Sequence, residues 1–291
     1  MSKSQPMLRS GPWVLRLSWL LLPVTLGLSL GDALDGRSDP VVWLTAVAGW
    51  LLWTLGLVAT LVPRVEALTP LRVVAPAFVP LSLWAAATVD DVGAVQVLGV
   101  LGATVVAVVV LSPQTGDVFV NGSAYGHERR FALRAPAPLL FGPVVLVWAL
   151  VVAGAVAGPL LLAAEQWVLG GIALVVGWAA AALGGRALHQ LSRRWLVFVP
   201  AGVVVHDPMG FQPQLLPRAN VARFGPAPAD TDATDLTNRA SGLALEIELI
   251  DPATLEQRQR GRRGELVEVQ RVLVTPTRPG AVLVEAQERR L

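Results

Sequence analysis

Two adjacent carboxylates, Asp90 and Asp91, three histidines, His127, His189 and His206, and four clustered arginines, Arg258, Arg260, Arg262 and Arg263, carry most of the reactive chemistry in this sequence. Neighbouring acids in a short connection can hold a divalent cation or a phosphate-linked metal, as membrane enzymes that process lipids require; more simply, they mark a solvent-facing turn. The histidines lack the short, regular spacing that sets two imidazoles around one metal ion. P-loop, G-x-S-x-G and H-E-x-x-H patterns do not occur. With no cysteine, thiolate nucleophiles, iron–sulfur clusters, Cys-ligated zinc and disulfides drop out together. No catalytic, cofactor-binding or metal-binding residue is assigned, and an enzyme is not expected.

The arginine cluster lies in a Gly-flanked loop between two predicted strands. It reads either as a contact with an anionic lipid surface, at about 1 kcal/mol per arginine, or as a solvated hairpin tip. Arg193 and Arg194, where the last apolar run ends, offer a similar membrane-surface or partner contact. Nucleic acid is not expected as a partner, because aromatics are not interleaved with the arginines and the net charge is only +2.

The elements that must position these residues belong to a membrane protein. Hydrophobic residues make up 54% of the 291 and charged ones 15%, outside the soluble globular norm. A helix crossing a bilayer needs roughly 20 mostly apolar residues, and six runs qualify: 13–31, 41–63, 71–89, 93–111, 138–157 and 166–184. The chain thus divides into a transmembrane domain, 1–185, and a C-terminal domain, 186–291. Connections alternate in charge. Lys3 and Arg9, then Arg64 and Arg72, then Arg129, Arg130 and Arg134, then Arg186, Arg193 and Arg194 fall on one side; Asp32, Asp35, Asp39, Asp90, Asp91 and Glu165 fall on the other, with Arg37 the lone positive charge among them. Positive residues stay in the cytoplasm, so both termini are expected there, in a multi-pass plasma-membrane protein. A cleaved signal peptide is the rival reading of the first run, although an A-x-A pattern is missing.

Within the runs, Gly154 and Gly158 form a G-x-x-x-G that would let helices pack closely, and Gly99 with Ala103 is a smaller version. No ionisable side chain is expected at mid-membrane. Arg16 and Gln96 lie near helix ends, which disfavours an ion-coupled transporter. Pro23, Pro76 and Pro80 keep a passive or substrate-gated path open. Trp50 and Trp53, mid-helix, are expected to pack against neighbouring helices.

After residue 185 charges recur every few residues, and strand patterns appear at 194–199, 203–207, 214–224, 243–250 and 266–274. Pro200-Ala201-Gly202 reads as a tight hairpin turn. Residues 225–242 read as a loop, and 281–291 as a closing helix with Val282, Leu283 and Ala286 on its apolar face. The connection 112–137 holds strand-like runs within 117–133 around Asn121-Gly122, and either docks on the C-terminal domain or is a solvated loop.

The stretch 193–207, Arg-Arg-Trp-Leu-Val-Phe-Val-Pro-Ala-Gly-Val-Val-Val-His-Asp, resembles the opening hairpin of bacterial PH-like domains. Val272-Leu273-Val274-Thr275-Pro276, Arg278-Pro279 and the helix after them are similar to that fold's last strand and capping helix. The whole chain also resembles uncharacterised membrane proteins of high-GC Gram-positive bacteria. The resemblance implies a cytoplasmic α+β domain, a PH-like β-barrel or sandwich capped by a C-terminal helix, acting as an interaction module. Phosphoinositide-binding PH domains carry basic residues at the first hairpin turn; Pro200-Ala201-Gly202 has none. The expectation is therefore a membrane-embedded scaffold or complex subunit, with the bilayer and other proteins as partners and oligomerisation open. A transporter or permease is the alternative, and a lipid-modifying enzyme the third reading.

Overall fold

Helices form wherever about 20 apolar residues would otherwise leave backbone amides unpaired in lipid. A computed structural model describes residues 6–210, 212–257 and 265–291. Among these, six helical spans are long and apolar enough to cross a membrane: Pro12–Leu34, Asp39–Leu61, Val65–Ala87, Ala94–Leu111, Pro143–Ala163 and Trp167–Ser192. This is the architecture of a multi-pass membrane protein. In chain order the helices are α1 (Pro6–Leu20) and α2 (Leu26–Leu34), which share the first span, then α3 (Asp39–Leu61), α4 (Val65–Ala87), α5 (Ala94–Leu111) and α6 (Pro113–Asn121). Strand β1 (Arg129–Ala132) and the short α7 (Ala137–Leu140) precede α8 (Pro143–Ala163) and α9 (Trp167–Ser192).

The chain forms two compact units, one of residues up to 119 with 146–188, the other of 120–145 with 189–291. In the first, Trp19, Leu26, Leu68, Leu71, Val106 and Phe119 form a buried core.

The second unit holds two four-stranded sheets. In the first, β1 pairs with β2 (Trp195–Val199), β2 with β3 (Gly202–His206) and β3 with β4 (Gln214–Pro217), all antiparallel. The second runs β5 (Val221–Pro226), β7 (Leu245–Gln257), β8 (Glu265–Val274) and β6 (Thr234–Asp235), with β6 parallel to β8. Phe131 and Phe224, on different sheets, both meet Phe198, each with 5.7 Å between ring centroids. The last helix, α10 (Pro279–Glu288), buries Val282 and Ala286 in this core, as its apolar spacing predicts.

Several elements differ from the sequence reading. The third span starts at Val65, so Glu66 and Arg72 lie inside a helix rather than in the connection before it. The expected strand 214–224 is two strands in different sheets, turned by a 3-10 helix at Arg218–Asn220 directly after Pro217. Residues up to Asn121 in the fourth connection are helical because Ser112 and Pro113 start a helix: the Ser112 hydroxyl accepts the Thr115 N–H at 3.3 Å. The rest of that connection does dock on the C-terminal sheet, Arg129 opposite Phe198 and Ala132 opposite Trp195. Finally, the loop 225–242 hides β6 and buries Leu236.

Candidate functional site

Arg194 immediately precedes β2 and Asp207 immediately follows β3. Because Trp195 pairs with His206 across the hairpin, residues 194 and 207 are the next partners outward. The guanidinium and carboxylate meet at 2.8 Å, each about 1% exposed. Burying such a pair carries a large desolvation penalty, offset only when the remaining donors and acceptors are satisfied. Here most are engaged, although the buried Arg194 Nε has no partner among the described residues. Arg194 Nη1 donates to the Arg134 carbonyl at 2.7 Å and Nη2 to the Thr237 carbonyl at 3.4 Å. Asp207 accepts the Met209 N–H at 3.0 Å and the Asn238 amide at 2.9 Å. Four chain segments thus converge on one ion pair, among them the segment that follows β1. The Arg134 N–H donates to the Thr275 carbonyl at 2.8 Å, and the Thr277 N–H to the Ala132 carbonyl at 2.9 Å, which ties the same segment to the end of β8.

Beside the pair stands a column of three side chains from three strands. The Trp195 ring stacks on His206 at 4.7 Å and 14°, and the Arg130 guanidinium lies 5.8 Å over Trp195. Glu128 holds Arg130 at 2.8 Å. That hydrogen bond from Arg130, aided by the Tyr125 N–H, holds the Glu128 carboxyl below its ordinary pKa, against the opposing effect of desolvation. On the second sheet, Arg223 bridges Glu246 and Glu248, while Arg271 bridges Glu248 and Asp232. Asp232 and Glu248 raise the Arg271 pKa. Glu246 is buried and also accepts the Thr231 hydroxyl. The exposed members of this ladder add little stability individually.

In the helical unit, polar contacts cluster where prolines interrupt helices. Pro23 lacks the N–H that would bond the Trp19 carbonyl, and the Trp53 indole donates to that oxygen at 3.0 Å; the Trp19 indole returns a bond to the Trp53 carbonyl at 2.9 Å. Pro159 likewise frees the Ala155 carbonyl, which accepts the Trp178 indole at 3.4 Å. Trp148 of α8 donates to the Val73 carbonyl of proline-rich α4 at 2.9 Å. Trp53 therefore packs as the sequence predicts. Gln96, read from the sequence as merely polar, is buried and donates to Asp32 at 2.8 Å. Arg16 donates to the Thr60 carbonyl in the last turn of α3 at 3.2 Å. Arg72 and the buried Asp117 attract one another within this unit, so one charged pair does lie against the spanning helices.

Arg193 is exposed, as a membrane-surface contact requires. Arg194 is not available for that role; its charge is buried against Asp207, which corrects the sequence reading. Arg258, Arg260, Arg262 and Arg263 lie outside the described residues. Gly154 and Gly158 do face another helix: a Cβ on Gly154 would stand 2.5 Å from the Gly177 carbonyl, and one on Gly158 would stand 2.6 Å from the Leu174 amide nitrogen. Sequence reasoning missed Asp207, Asn238 and Arg134. One signal was present, since 194 and 207 are equidistant from the Pro200-Ala201 turn and carry opposite charges. His127, His189 and His206 belong to no group of metal-binding residues found among the described residues, and neither do Asp90 and Asp91. No protein-family model, curated protein or solved structure matches the chain.

Proposed function

We propose that this chain is a plasma-membrane scaffold or complex subunit, with both termini in the cytoplasm, whose PH-like β module recruits partner proteins. The carrying observation is the Arg194–Asp207 clamp together with β1. The module takes a strand from the connection before the last two spanning helices and the rest of its sheets from the segment after them. Three chain passages therefore join it to the helices, at residues 119–120, 145–146 and 188–189. The β unit is thus built from chain on both sides of the last two apolar spans, which supports its reading as an integral part of a membrane scaffold. Its antiparallel hairpins and closing helix support the PH-like reading.

The test is purification of the full-length protein from native membranes, with mass spectrometry of what accompanies it. Beside it run a version lacking residues 193–291 and a full-length Ile250→Ser/Leu266→Ser variant, which alters two exposed side chains of β7 and β8. Stoichiometric partners lost on truncation and reduced in the double variant support the scaffold. Partners unchanged by truncation refute it.

A second reading, a transporter or permease, has one observation in its favour: the first span is interrupted at Pro23, between α1 and α2. Interrupted helices are where transporters bind their substrates. Here the freed Trp19 carbonyl is already occupied by Trp53, so the scaffold remains the leading reading.

A further inference from the structure

Trp19, Trp53, Trp148 and Trp178 each donate the indole N–H to a backbone carbonyl of another helix. Trp13, Trp43, Trp84 and Trp167 lie near the ends of their spans, where headgroups and water can accept a hydrogen bond. Trp50 fits neither pattern. It is the twelfth residue of the 23 in α3, about 17 Å of helix from either end. It is 58% exposed, and among the described residues its N–H has no acceptor. One turn further on, the exposed Thr54 hydroxyl is also unpaired among the described residues. Both line a shallow groove of about 400 Å³ with Trp43, Ala46, Val47 and Leu51. Acyl chains offer no acceptor or donor at that depth, and an unsatisfied polar group there is costly.

We propose that this face of α3 docks on the α3 of a second copy of the chain. At mid-span the face carries an indole donor, Trp50, and a hydroxyl that can accept, Thr54, a turn apart, with no charge. About a two-fold axis the Trp50 of each copy donates to the Thr54 hydroxyl of the other, which is the self-complementary arrangement an isologous contact requires. Ala46 and Thr54, one turn to either side of Trp50, are small enough to let the backbones approach. The donor is also held ready. The Trp50 ring stands edge-on to Trp53 at 5.5 Å and 86°, and Trp53 is fixed by its two bonds to Trp19. The inference rests on α3 spanning the bilayer and not on the scaffold reading.

The chain has no cysteine, so single substitutions report position without background. Full-length Val47→Cys and Leu51→Cys, on the groove, and Ala48→Cys and Leu52→Cys, away from it, are oxidised with copper phenanthroline in native membranes. Homodimer should form at 47 and 51 in excess over 48 and 52. Trp50→Phe or Thr54→Val should lower it roughly three- to tenfold, and the two together no further than either alone. Carbonate extraction of the same membranes separates the two layers of the argument. Protein that is extracted overturns the spanning of α3 and the docking with it. Protein that is retained but cross-links equally at all four positions, not at all, or at 47 only to a different protein overturns the second-copy contact alone.

Discussion

The Trp53 indole donates at 3.0 Å to the carbonyl of Trp19, the oxygen whose usual helical partner is removed by Pro23. A proline in one helix and a tryptophan in another therefore act as a single unit. Trp53→Phe should destabilise the helical unit by about 1 kcal/mol. Pro23→Ala returns an N–H to that carbonyl, so the same substitution should cost less in its presence. Thermal unfolding of the two single variants and the double variant in detergent measures the coupling; strictly additive losses would refute it.

Asp207→Asn keeps the shape of the buried clamp but leaves the Arg194 charge unpaired, and should destabilise the β unit by about 3–5 kcal/mol. The double variant Arg194→Met/Asp207→Leu removes both charges and should be more stable than Asp207→Asn. Amide hydrogen exchange in β2 and β3 of the full chain measures the unfolding of this unit.

Gly154→Leu and Gly158→Leu should separate α8 from α9 and lower the melting temperature. Gly171→Leu should not, because a Cβ there meets nothing within 4 Å and the position opens outward. A variant at Gly154 as stable as that at Gly171 would mean that the close approach contributes nothing.

The depressed Glu128 carboxyl predicts a pH effect of definite sign. The folded state binds this proton less tightly than the unfolded state, so the Arg130–Glu128 pair contributes stability at and above neutral pH. That contribution is lost as pH falls through the unfolded and then the folded pKa, below the ordinary carboxylate range. Glu128→Gln should flatten this part of the stability profile, by a small amount because the pair is near the surface.

For the arginine cluster the expectation rests on charge alone. Replacing Arg258, Arg260, Arg262 and Arg263 with alanine should abolish any slowing of Glu-C cleavage at the flanking Glu256 and Glu265 that anionic nanodiscs produce relative to neutral ones. Equal cleavage of the unaltered protein in both lipids would identify a solvated tip instead.

What the sequence disclosed follows from how local each signal is. Six apolar runs, the Pro200-Ala201 turn and the face of α10 are each written in a short window, and each corresponds to an element in the structure. The start of the third span was misjudged because Glu66 and Arg72 look like a connection when the burial of Asp117 beside Arg72 is unknown. The two-residue β6 has no periodicity to show; it exists because β8 offers an edge and Leu236 fills the core. The Arg194 clamp was half visible, as two opposite charges flanking a hairpin. Its other ligands, Arg134 and Asn238, are 60 and 44 positions from Arg194 and leave no local trace.

The strand β1 also imposes an order on synthesis. Residues 129–132 leave the ribosome well before their partners at 195–198, and two membrane-spanning segments must be made in between. The first sheet therefore cannot close until α9 has been translated. A chain stalled or misinserted at α8 or α9 would hold a strand with an unpaired edge, which quality-control proteases and chaperones recognise. Completion of the β unit therefore follows the synthesis of the last two apolar spans.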